Sequence, residues 1–328
     1  MTSTSSPAAS AESPGCSILA VHPGALATSA WDPLIDGLPP GYVAKILDLQ
    51  RVREFALAGM DSRISSPSID DLADMVATVI ERERPTVVIG WSFGGVVAQA
   101  ALSRRLSHRP RALVALDSIA AVPDYVMDDD FDRSVLTSWF AMYLCAKQGV
   151  ERPGGPLPLG GGQELLDWTV RAGAVRPDTS VAGINKVYEA FLGGMLRNNS
   201  LARAHHVRPH ALPTFLVRPA EGLLPEGPDL GWLSLYPATL IVPCAGDHYT
   251  VFDQPVVGAI VRGLLQEPPR DHVDSAGTRP ATLPATLIEG NHGSLQVPRD
   301  RARAAAPGPD ADRHRRPLRA VPQVAGRA

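Results

Sequence analysis

The five residues Gly90-Trp91-Ser92-Phe93-Gly94 place a serine between two glycines, inside the stretch "TVVIGWSFGGVVAQAALSRRL". A serine hydroxyl becomes a nucleophile only with a base beside it and a backbone that presents it clear of its neighbours. A G-x-S-x-G run between a β-rich strand and a small-residue helix meets the second condition. The sharp strand-to-helix turn strains the serine, and Gly90, Gly94 and Gly95 omit β-carbons that would strike a neighbouring strand or helix. Ser92 Oγ is then expected at the carboxyl edge of a sheet, with the following helix aiming its first N–H groups, Phe93 foremost, at a developing oxyanion. The plainer alternative is a glycine-flanked N-cap serine. The strand, the helix and the downstream partners favour the nucleophile.

Such a serine needs a base and the base an orienting acid, expected in the chain order Ser, acid, His for a strand–serine–helix turn of this kind. Asp117 ends the strand-like "ALVAL", the next after the serine's strand, so both side chains should emerge at one sheet edge; a turn or N-cap aspartate is its plain reading. His248 follows "ATLIVPCAGD" and precedes a helix, and is the favoured base. His292, in the similar run "ATLIEGNHGSL", is the rival. For His22, His205, His206 and His210 a surface or structural role is expected. A second oxyanion donor should come from "VHPGAL" after the first strand, through the backbone N–H of Gly24 or Ala25.

These residues need a sheet to hold them. "CSILAVHPG" and "GYVAKILDL" read as early buried strands. "SIDDLADMVATVIERERP" reads as an amphipathic helix with Ile69, Leu72, Met75, Val76, Val79 and Ile80 on one face, a Ser68/Asp71 capping box, and Pro85 beyond its end. Alternation of strand and helix up to Leu116 implies a parallel sheet. From about Met127 to Arg203 three helical segments interrupt it, and strands resume at "PTFLVRPA" and "ATLIVPCA" before a helix from about Gln254 to Leu265. The expected organisation is a flexible Ser/Ala/Pro-rich leader at 1–15, one folded domain at 16–266 and a largely disordered Pro/Arg/Ala-rich tail at 267–328.

Composition excludes several function classes. With 328 residues, 45% hydrophobic, the chain can bury a large α/β core, and a net charge of −3 offers no general attraction to nucleic acid or anionic lipid. Cys16, Cys145 and Cys244 have no CxxC spacing, so neither a disulfide framework nor a thiolate zinc site is indicated. No signal peptide and no apolar run of membrane-spanning length occurs, so the reading is a cytoplasmic protein with no membrane partner, no metal and no cofactor of its own.

The stretches "VHPG", "GWSFGGVVAQ", "LVALDS", "TFLVRPAEG" and "GDHYTVF", in this order over roughly residues 17–265, resemble the thioesterase domains that terminate polyketide and non-ribosomal peptide assembly lines. The resemblance implies an α/β-hydrolase fold with a mostly parallel sheet flanked by helices, and the 127–203 insertion as a helical lid. It implies Ser92, Asp117 and His248 as the triad. The substrate would be an acyl or peptidyl chain on the phosphopantetheine arm of a carrier protein, released as an acid by water or as a macrocycle by a group of the same chain. Trp139, Phe140, Trp168 and Tyr188 become candidates to line an acyl channel. The chain departs from the family in starting with a methionine and a polar leader, as a discrete enzyme or an excised domain would, and in its arginine-rich tail. Two other readings stand beside this one: a general esterase or lactonase on a small ester, and a non-catalytic acyl-binding protein that keeps the fold.

Overall fold

Three central strands consist wholly of buried residues, as a parallel sheet covered on both faces requires: β1 (Ile18–His22), β3 (Val87–Trp91) and β4 (Ala112–Leu116). With β2 (Ala44–Asp48), β5 (Thr214–Glu221) and β6 (Leu240–Asp247) they form a six-stranded sheet in the order β2-β1-β3-β4-β5-β6, every pairing parallel. This computed structural model describes residues 16–127, 133–224 and 227–266. The expected leader, the tail and His292 lie outside the described residues.

Side chains alternate between the faces along each strand. Ile18, Ala20, Val87, Ile89, Val114 and Leu116 enter one core, whereas Leu19, Val21, Val88, Leu113 and Ala115 enter the other. Helices α1 (Asp32–Asp36) and α2 (Arg53–Ala58) are short, and α3 (Ile69–Glu83) lies against α4 (Phe93–Leu102). The capping box forms as expected: Ser68 Oγ accepts from the Asp71 N–H at 3.1 Å, and Asp71 accepts from the Ser68 N–H at 2.9 Å. Met75 is the exception in that helix, being 41% exposed, because the buried stripe runs through Ile69, Leu72, Ala73, Val76 and Ile80 and passes it by. All ten residues of α4 are buried, so its apolar character extends all round.

The insertion after β4 is helical: α5 (Ser134–Gln148), α6 (Gln163–Arg171) and α7 (Val181–Ala204). After β5 come the single turn α8 (Trp232–Leu235) and, beyond β6, α9 (Pro255–Gln266). Because β1 leads to β2 on one side and the chain then returns to β3 on the other, the order reverses between β1 and β3. A crevice opens outside the carboxyl ends of such strands, and Ser92 lies just beyond β3. No helix among the described residues is long and apolar enough to cross a membrane.

Beneath the sheet, Gln99 on α4 donates to the Arg208 carbonyl at 2.7 Å and to Tyr236 Oη at 2.8 Å. Tyr236 stacks on His210 with centroids 4.5 Å apart, and burial lowers the His210 pKa to about 4. In the unfolded chain His210 takes a proton near pH 6.5, in the folded chain only near 4, so between those values the unfolded state binds more protons. Its contribution is therefore complete above pH 6.5 and is lost as pH falls toward 4, by up to about 3 kcal/mol. Urea unfolding of wild type and His210→Phe from pH 7 to 4 should show a shallower decline in the variant; parallel declines would exclude His210 as the source.

Candidate active site

Ser92 adopts φ 52°, ψ −130° as the N-cap of α4, in the positive-φ region that non-glycine residues enter at a cost of about 1–3 kcal/mol. Hydrogen bonds hold it there: its N–H donates to the Leu116 carbonyl on β4 at 3.0 Å, and its carbonyl accepts from the Gly95 N–H at 2.9 Å. Close packing explains the flanking glycines. A β-carbon on Gly90 would sit 2.4 Å from the Gly95 Cα, and one on Gly94 would sit 2.2 Å from the Val21 carbonyl oxygen.

Strand register brings the acid alongside. Trp91 pairs with Leu116, so Ser92 and Asp117 both leave the sheet at the next position. Asp117, with φ 39°, is fully buried. Its Oδ2 accepts from the Leu223 N–H at 3.0 Å and lies 2.8 Å from His248 Nδ1, while Oδ1 accepts from the Arg218 guanidinium. Since an ionised carboxylate can only accept, Nδ1 is the ring nitrogen that donates to Asp117.

His248 is aimed by the turn after β6. Asp247 Oδ1 accepts from the Tyr249 and Thr250 N–H groups at 2.9 and 3.0 Å, and Thr250 Oγ1 accepts from the Asp247 N–H at 2.8 Å. The Trp91 indole then donates to the His248 carbonyl at 3.0 Å and lies against its ring, centroids 5.1 Å apart. That accounts for the residue types of "GDHYT" and for the tryptophan before the serine.

The loop after β1 completes the edge. Gly24 and Ala25 both have positive φ, 100° and 71°, and among the described residues the Ala25 and Phe93 N–H groups donate to no backbone carbonyl. His22 braces this loop. Trp31 Nε1–H donates to His22 Nδ1 at 3.1 Å, so Nε2 bears the hydrogen and donates to the Leu26 carbonyl at 2.9 Å. Burial lowers the His22 pKa, and the ring stacks on the Trp91 indole with centroids 5.4 Å apart.

A cavity of about 440 Å³ joins these parts, lined by Ser92, His248, Gly24 and Ala25 from the core and by Tyr143 and Phe191 from α5 and α7. A smaller, mainly apolar cavity of about 100 Å³ also reaches Ser92. Of the four aromatic residues expected along a channel, Trp139 lines both cavities. Phe140, Trp168 and Tyr188 do not: Phe140 and Tyr188 pack on each other at 5.2 Å, and Trp168 is 6% exposed with its indole on the Pro156 carbonyl. Helical periodicity alone could not separate the lid's inner core from its cavity face. Among the described residues, no group of three or more His, Cys, Asp or Glu side chains could hold a metal ion, and all three cysteines are free.

The alpha/beta hydrolase family model matches residues 18–315, and the chain belongs to that family. Among solved structures it is similar to a four-domain nonribosomal peptide synthetase bound to AMP and glycine, with a TM-score of 0.51 and 20% identity over 77% of this chain; the chain spans 19% of that synthetase. It is also similar to the NocB thioesterase domain in covalent complex with a fluorophosphonate nocardicin G analog (TM-score 0.48, 20% identity, 77% of this chain and 96% of that one). A third is the RedJ thioesterase from the prodiginine biosynthetic pathway in Streptomyces coelicolor (TM-score 0.45, 18% identity, 80% and 96%). At such identities the likeness is one of fold. No curated protein sequence matches the chain.

Arg218 escaped the sequence reading, although it stands in the quoted "TFLVRPAEG". It is 7% exposed, it grips Asp117, and its Nη2 donates to the Leu224 carbonyl at 2.7 Å. The signal was a charged residue inside a strand that otherwise reads as buried. As a positioning residue it should govern turnover more than binding. Arg218→Met is expected to lower kcat on an activated ester roughly 10- to 100-fold with little change in KM, and Arg218→Lys to recover part of it. Rates are normalised to fluorophosphonate-reactive protein; equal kcat in all three forms would leave Arg218 a purely structural role.

Proposed function

We propose that the chain is a serine thioesterase whose Ser92, Asp117 and His248 act as a catalytic triad on a carrier-bound acyl or peptidyl thioester. The observation that carries the reading is the 2.8 Å contact between buried Asp117 and His248, together with the cavity that His248 shares with Ser92. His248 Nε2 takes the Ser92 proton as Oγ attacks the thioester carbonyl, and Asp117 stabilises the imidazolium that forms. Phe93 N–H, with Gly24 or Ala25 N–H, holds the tetrahedral oxyanion. Return of the proton releases the thiol of the arm and leaves an acyl-enzyme on Ser92. Water, or a hydroxyl or amine of the acyl chain, then attacks it with His248 again as base.

Two features support a thioester-borne acyl chain over a small ester. A helical insertion covers the serine, and two cavities meet there, room for the two sides of a long substrate. Both also fit an esterase with a large acyl group, so substrate choice is the deciding measurement. The carrier partner and cytoplasmic setting belong to the same proposal.

Incubation with acyl-pantetheine thioesters, followed by intact-protein mass spectrometry, should show an acyl adduct on wild type and none on Ser92→Ala. The alanine variant should lose turnover by roughly 10⁴-fold or more while keeping its unfolding midpoint. Full activity in Ser92→Ala would refute the nucleophile. Turnover of simple esters without thioesters would favour the esterase reading.

A further inference from the structure

The larger cavity beside Ser92 contains a cation with no carboxylate partner among the described residues. Arg197, on α7, lines it, and burial lowers the pKa of its guanidinium to about 10. Its Nε and Nη2 donate to Asn198 Oδ1 at 3.1 and 2.8 Å, and Nη1 donates to the Phe55 carbonyl at 2.5 Å. A guanidinium has five N–H donors, so one on each terminal nitrogen is left without a partner among the described residues. The group lies 3.5 Å above the Phe55 ring, and Phe55 stacks on Phe93, next to the nucleophile, at 5.9 Å. Asn198 and Phe55 therefore fix the guanidinium plane two rings from the reacting serine. Neither supplies negative charge.

The rest of the lining holds one carboxylate, and no ion pair among the described residues joins it to Arg197. Lys147 is a second cation there, bound to Tyr143 Oη at 2.9 Å, with no carboxylate partner among the described residues. Asp48 is the one acidic side chain of the lining outside the Asp117–His248 pair, and its Oδ1 accepts from the Gln50 N–H at 2.9 Å. A part-buried charge without a partner is unfavourable until an anion enters, and a pre-oriented guanidinium fork suits a planar or tetrahedral oxyanion. The second cavity at Ser92 has Val96, Ile119, Met127 and Leu224 in its wall and, among the described residues, no charged side chain.

Taking the thioesterase reading as its basis, we propose that Arg197 forms an anion subsite, so that the preferred substrate carries a carboxylate or phosphate on one side of the scissile thioester. An apolar portion occupies the other cavity. The anionic group belongs either to the acyl chain or to the carrier arm, and two matched substrate pairs distinguish them. One pair compares succinyl, adipoyl and suberoyl thioesters of N-acetylcysteamine with their terminal methyl esters. The other compares octanoyl-phosphopantetheine with octanoyl-pantetheine.

In at least one pair, wild type should prefer the anionic member by about tenfold or more in kcat/KM, as expected for a charge-assisted contact. Arg197→Gln should bring that ratio close to one, and Arg197→Lys should fall between. Because the readout is a ratio within one protein, loss of folded material cancels. The same ratios are read as dissociation constants by calorimetry, using non-hydrolysable amide analogues and Ser92→Ala protein with and without Arg197→Gln. An unchanged ratio in both pairs on removing Arg197 overturns the subsite while leaving the thioesterase reading intact. Arg197-dependent binding without thioester turnover in wild type would keep the subsite and reject the thioesterase reading.

Discussion

A fully buried carboxylate ties the site together. Removing Asp117 from water would be unfavourable by several kcal/mol if its oxygens were left unpaired, and each has partners: Arg218 on one, the Leu223 N–H and His248 on the other. Those partners belong to β5, the segment after β5 and the turn after β6. The carboxylate at the end of β4 thus ties three successive strand ends to one point. Satisfying its charge and placing the imidazole are a single requirement.

Around that anchor the site divides its work among rigid pieces. Ser92 is presented by backbone strain at the β3–α4 turn, and the register of β3 against β4 sets it beside the acid. The indole of Trp91 joins the two loops that must converge, touching the braced His22 ring and the His248 ring. The helical insertion is linked to the acid–histidine pair, since Trp139 on α5 donates to the Leu223 carbonyl at 2.8 Å while the Leu223 N–H donates to Asp117.

The cavity above the site is chemically two-sided. Arg197, Lys147 and Asp48 place charge in the wall of the larger part, the smaller has no charged side chain among the described residues, and Ser92 lines both. α7 contributes Arg197 to the first and Met195 and Asn198 to both, so one helix forms part of each wall.

Much of this was legible in local pattern. The G-x-S-x-G turn, the Ser68/Asp71 capping box, the strand–helix alternation and the helical insertion each depend on residues a few positions apart, where propensity, sterics and period decide. Asp117 was legible too, because the next strand in sequence is also the next in the sheet. Tertiary structure alone decided the partners across long separations: His248 meets Asp117 from 131 positions away, and Arg218 from 101. It also decided which aromatic side chains face the cavity rather than the insertion's own core, and that Arg197 has no carboxylate partner among the described residues. Those outcomes follow from strand order and helix docking, which set distances that no spacing along a chain encodes.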